Sequence, residues 1–156
     1  MTATTYWNLG AQSSDVRCLD GELFLFERTV PLGIDTLAGR SLRHTPPTPL
    51  GIEHAIELTE DVVMPLARHL EVGGALMLSG AGATLILQAL GAAAGTEVRL
   101  TLEEVEYLFN RIAAVSQGRP SGQDALPTAP EFYAAMVILR ECLHHLRFSE
   151  VVLQAA

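Results

Sequence analysis

The chain contains no lysine, and its positive charge rests on ten arginines against 18 acidic residues. With a net charge of −8 it repels phosphate backbones and anionic lipid, because binding to either depends on Lys and Arg releasing counterions. Neither nucleic acid nor a membrane surface is expected as a partner. Only two cysteines are present, Cys18 and Cys142, without CxxC spacing, which argues against a zinc finger or a disulfide framework and leaves both as small buried hydrophobes. The N-terminus has no basic stretch followed by an apolar one, so no secretory signal is read there and a cytoplasmic location is expected. No G-x-S-x-G, H-E-x-x-H or P-loop pattern occurs.

Charge of either sign is also sparse: 18% of residues are charged while 49% are hydrophobic. That balance implies apolar surface hidden against a second copy or a protein partner. The 156 residues amount to one domain, a size that buries roughly 70% of its extended-chain surface. The expected layout is one globular unit over 1–156, with a polar segment at 1–14, a proline-rich connector at 44–51 and a loop at 118–128.

From Asp15 the chain favours strands, and Asp20-Gly21 signals a hairpin between Val16–Leu19 and Glu22–Thr29. Leu23, Phe24, Leu25 and Phe26 make the second strand apolar on both faces, which predicts cover on each side. One helical turn is expected within Leu32–Arg43. His44–Leu50 must be extended because each proline biases its predecessor away from the helix. An amphipathic helix begins at Ile52 and carries Ile56, Val63, Leu66 and Leu70 on one face. Pro65 predicts a kink near Val63 and Met64, and Gly73 and Gly74 end the helix. A short strand at Glu97–Leu100 precedes a helix over Leu102–Gln117, opened by a Thr101/Glu104 capping box. A second box, Thr128 with Glu131, opens a helix over Pro130–Leu146 that is apolar nearly all round and hence central. Phe148–Leu153 has strand composition.

Val72–Gly95 carries no charged side chain. Its 24 residues could span a bilayer, which needs about 20, but scattered glycines, Gln88 and the lack of flanking Lys or Arg argue against that. Ser79–Thr84 imitates a phosphate-cradling turn before a helix, yet Leu85 stands where G-x-G-x-x-G requires its third glycine, and no further βα units follow. The reading that remains is a buried strand at Ala75–Leu78, a turn, and a small-residue helix to Ala94 serving as core or subunit contact.

Chemistry-bearing residues gather on two helices. His54, Glu57 and Asp61 share one face of the first. Glu141 and His144, with His145 alongside, form a Glu-x-x-His unit on the last, the ligand unit of carboxylate-bridged metal bundles. A complete site of that kind needs a second such pair, which is missing. Cys142 with His144 or His145 makes a poor nucleophile pair because neighbouring helix positions diverge. Arg40, Arg43 and His44 read as solvated cations.

The expected fold class is α+β: a mostly helical single domain of three to four helices on a small antiparallel sheet with an N-terminal β-hairpin. The expected function is a non-enzymatic, self-associating accessory protein that forms a homo-oligomer or binds a protein partner and needs no cofactor. The alternative is a metal- or small-molecule-binding enzyme with a carboxylate/histidine site between the helices at 52–70 and 130–147, in which His54, Glu57, Asp61, Glu141, His144 and His145 hold a divalent metal.

Overall fold

In the computed structural model, which describes residues 3–70 and 73–155, the backbone forms six strands and five α-helices. The strands are β1 (Thr4–Leu9), β2 (Ser14–Asp20), β3 (Leu23–Val30), β4 (Ala75–Ser79), β5 (Val98–Thr101) and β6 (Glu150–Leu153). The helices are α1 (Ile34–Ser41), α2 (Pro49–Val63), α3 (Gly80–Ala89), α4 (Leu102–Ser116) and α5 (Pro130–His145).

All six strands join one sheet in the order β3-β2-β1-β4-β6-β5. β1, β4 and β6 run parallel, while β2, β3 and β5 are antiparallel to their neighbours. The expectation of three or four helices on a small antiparallel sheet is therefore corrected to five helices on a six-stranded mixed sheet. The reason is β1. Its Thr-Thr-Tyr-Trp-Asn-Leu run falls in the segment expected to be polar and irregular, yet Trp7 and Leu9 are fully buried and β1 sits between the hairpin and β4. Pairing with β4 in parallel converts an isolated hairpin into the edge of a larger sheet.

β3 departs from expectation too. It is an edge strand, and Leu23, Phe24 and Leu25 are 62, 54 and 49% exposed rather than covered on both faces. Other local signals hold. The Thr101/Glu104 capping box forms, with each side chain accepting from the other's backbone N–H. α2 gives way at Val63 to a 3-10 helix over Met64–His69 that contains Pro65. At α5 the Thr128/Glu131 box is replaced by an Ala129 cap ahead of Pro130 at the first helical position. Val72, the start of the uncharged stretch, lies outside the described residues; Ala75–Ser79 and Gly80–Ala89 resolve into β4 and α3.

α5 is the central post. Phe132 through Leu139 are buried without interruption, and the helix packs against α1, α2, α3 and α4. Among the described residues, no helix is long and apolar enough to cross a membrane.

The junction of β4 and α3 depends on two glycines. Gly80 takes φ +86, and a Cβ there would lie 2.7 Å from both Leu9 O and Asn8 Oδ1. A Cβ on Gly82 would come within 2.5 Å of Leu9 Cγ. Since Leu9 is fully buried, it has nowhere to retreat. Gly82→Ala is expected to cost about 1–3 kcal/mol through overpacking. Urea denaturation measures this, and an unchanged midpoint would show that α3 can lift off β1 freely.

Candidate functional site

The carboxyl ends of β1, β4 and β6 form a crest, where open α/β sheets characteristically bind ligands. Three segments meet there: the β1–β2 loop from Gly10 to Ser13, the start of α1, and the turn from Ser79 into α3. The α1 amides of Ile34 and Asp35 donate to the Gly10 and Ala11 carbonyls at 3.0 and 2.8 Å, and Thr36 adds a longer bond to Ala11. The amino end of α1 is thus spent on holding the loop. That of α3 is not: its opening N–H groups have no intrahelical acceptor, and the helix dipole adds partial positive charge. The amides of Ala11 and Gln12 likewise find no acceptor among the described residues. Together these amides suit an oxyanion.

On the open face of the sheet, exposed Asn8 abuts Gly80 and pairs in register with Asp15 on β2. Asp15 accepts a 2.6 Å hydrogen bond from the Thr29 hydroxyl. Asn8, Asp15, Arg17 and Glu27 line a cleft of about 350 Å³. In sequence the Gly80–Gly82 turn lacks a third glycine and further βα units, which argues against a phosphate-cradling turn. The missing signal was that β1, β4 and β6 run in parallel.

The carboxylate and histidine residues gather at the opposite end, where α5 descends toward β6. Glu141 is buried, at 3% exposure, in an otherwise apolar helix. His145 Nε2 lies 2.8 Å from Glu60 and 3.2 Å from Glu141. Arg140 reaches Glu141 at 3.0 Å and Glu106 at 3.1 Å, and Glu106 also bonds His144. The result is a continuous network tying α2, α4 and α5 together.

Of the six expected metal residues, only Glu141 and His145 come together, joined by Glu60 instead of a residue from the predicted face. His54 is drawn off to the Ser41 hydroxyl at 2.8 Å, Glu57 is exposed, Asp61 lines a separate cleft beside Arg40, and His144 belongs to Glu106. The ligand atoms of Glu60, Glu141 and His145 all lie within 4.8 Å of one another, so these three can hold a divalent ion. Burial pushes the Cys142 thiol far up, which removes it as a nucleophile at neutral pH.

Burial, reinforced by the hydrogen bond and charge of Glu60, raises the Glu141 carboxyl above its ordinary 4.5, and Arg140 and His145 only partly offset this. Burial also lifts Glu106, but its bonds to His144 and Arg140 and their charges outweigh that and hold it below its ordinary value.

No protein-family model matches the chain, and neither does any curated protein. Solved structures do match. The Ppx/GppA phosphatase of Aquifex aeolicus in its type II variant is similar with a TM-score of 0.76 at 15% identity, over 98% of this chain and 53% of that one. An exopolyphosphatase from Cytophaga hutchinsonii is similar with a TM-score of 0.72 at 13% identity, over 98% of this chain and 53% of that one. The chain therefore spans about half the length of these proteins, and at such identity the likeness is one of fold. It overturns the expectation of a non-enzymatic, self-associating accessory protein, and with it the homodimer and protein-interaction reading. Surplus apolar surface was the basis of that expectation; the larger sheet buries Trp7 and Leu9, while Leu23, Phe24 and Leu25 stay exposed.

Because the folded Glu141 has a raised pKa, the fold favours its protonated form. Its stabilising contribution is complete below 4.5 and is lost as pH rises through the raised value. Glu141→Gln, which mimics that form, is expected to gain stability over the native chain as pH goes from 4 to 8. Urea midpoints at several pH values test this; a constant difference would mean that Glu141 does not titrate with folding.

Proposed function

We propose that the chain is the phosphate-binding lobe of a phosphohydrolase acting on phosphoanhydride or phosphate-ester bonds. The observation that carries this reading is the pairing at the crest of α3's unspent amino end with the free Ala11 and Gln12 amides, in a fold shared with solved phosphatases. Amide donors suit this chain: it has few cations to spare, and a helix amino end binds an oxyanion without Lys.

Asp15 stands beside Asn8 on the open face and is the base of this reading. Water attacks phosphorus, the bond to the leaving oxygen breaks, and Asp15 takes the proton from water. A cytoplasmic location accompanies the proposal, supported by the unpaired buried cysteines Cys18 and Cys142.

A second reading is favoured by the Glu60, Glu141 and His145 donor set, which suits Mn²⁺ or Zn²⁺ and would serve a metal-dependent activity at the base of the fold. Titration with either ion should raise the melting temperature of the native chain and not of Glu141→Ala; equal responses discard it.

Phosphate release from pyrophosphate, tripolyphosphate and p-nitrophenyl phosphate, with and without Mg²⁺, tests the main proposal alongside thermal shifts with the same compounds. Pyrophosphate is expected to stabilise the protein. Asp15→Asn should retain that shift while losing about 100-fold or more in release. If no compound shifts the melting temperature and none is hydrolysed, the proposal is wrong.

A further inference from the structure

Arg40 and Asp61 belong to neither the crest nor the network at the base, yet they face one groove. Arg40 is carried by α1 and Asp61 by α2, and between these helices lies a cleft of about 320 Å³, at the small end of the range that holds small-molecule ligands. Thr36 and Arg40 stand one turn apart on α1, and Leu58, Asp61 and Val62 share one face of α2, so each helix turns a flank to the same space. The cleft shares no lining residue with the one at the crest, where Asn8, Asp15, Arg17 and Glu27 stand.

The lining is apolar, with charge at two points. Leu32 and Leu37 are buried and form its floor, and Leu58 and Val62 are partly buried against the core. The Thr36 hydroxyl is spent on the Gly33 carbonyl at 3.1 Å. Arg40 and Asp61 are exposed, and neither forms an ion pair among the described residues. Opposite charges that face one apolar cleft without meeting leave room for a molecule that carries both.

We infer that this cleft binds a free α-amino acid with an aliphatic side chain. Its carboxylate lies on Arg40, its ammonium on Asp61, and its side chain on Leu32, Leu37, Leu58 and Val62. Exposed ion pairs contribute little, whereas removing a leucine-sized side chain from water contributes more. The apolar floor therefore supplies most of the affinity, and the two charges select a zwitterion over an acid or an amine alone. The site is independent of the phosphate-binding reading, and either can fail without the other.

Isothermal titration up to millimolar ligand tests this on the native chain, Arg40→Gln and Asp61→Asn. The probes are L-leucine, L-leucinamide, which lacks the carboxylate, N-acetyl-L-leucine, which lacks the ammonium, and glycine, which lacks the side chain. The native chain should bind L-leucine about fivefold more tightly than either blocked form. Glycine should bind about tenfold or more weakly than L-leucine. Arg40→Gln should abolish the preference over L-leucinamide and keep that over N-acetyl-L-leucine, and Asp61→Asn should do the reverse. Circular dichroism confirms that each variant is folded. No binding of L-leucine to the native chain, equal affinity for L-leucine and its blocked forms, or preferences that neither variant moves overturns the inference.

Discussion

Leu9 is fully buried at the end of β1 and occupies the volume that a side chain on residue 82 would need. Because Gly82 has none, α3 can seat directly on the strand, and its amino end comes level with the β1–β2 loop. Ile86 and Leu87 lock the next turn into the core, and α5 closes over it. Interiors are packed as densely as organic crystals, so a shift at this contact would be passed on to the rest of α3. The α3 amides are therefore positioned by apolar contact, while the loop that carries the Ala11 and Gln12 amides is held by the hydrogen bonds from α1.

Charge is divided between the two ends of the sheet. At the base, Arg140 sits over the Phe109 ring at 4.4 Å and bonds both Glu106 and Glu141, so one guanidinium compensates a surface carboxylate and a buried one. Such a network adds little net stability relative to an apolar replacement. Its partners do fix how α2, α4 and α5 cross, since a different register would strand Glu141 without them. Among the described residues the crest contains no comparable network.

The features legible in the sequence were those decided within one or two turns of chain. The Thr101/Glu104 cap is a contact between residues three apart, the Pro65 break follows from a missing amide, and the all-round apolar α5 is central because a helix of that kind has no face to show to water. What was not legible depends on distant partners. β1 is six residues with modest alternation, and only its parallel pairing with Leu76–Ser79 makes it part of a mixed sheet. The face carrying His54, Glu57 and Asp61 was read from helical phase, but phase does not say where a second helix crosses. α5 meets α2 at Glu60, one turn beyond Glu57, and that offset dissolved the predicted set while keeping Glu141 and His145.

The uncharged stretch shows how one composition serves two demands. Gly82, Ala83, Ile86 and Leu87 are buried, whereas Ala81, Thr84, Leu85 and Gln88 remain at least partly exposed along a groove. A charged residue on the first face would be buried without a partner. Absence of charge by itself suggested burial on all sides. A helix half in the core and half along an open groove shows the same absence, and the two cases are separated only by what stands opposite: here the first turns of α1 and α5, contributed by segments far away in sequence.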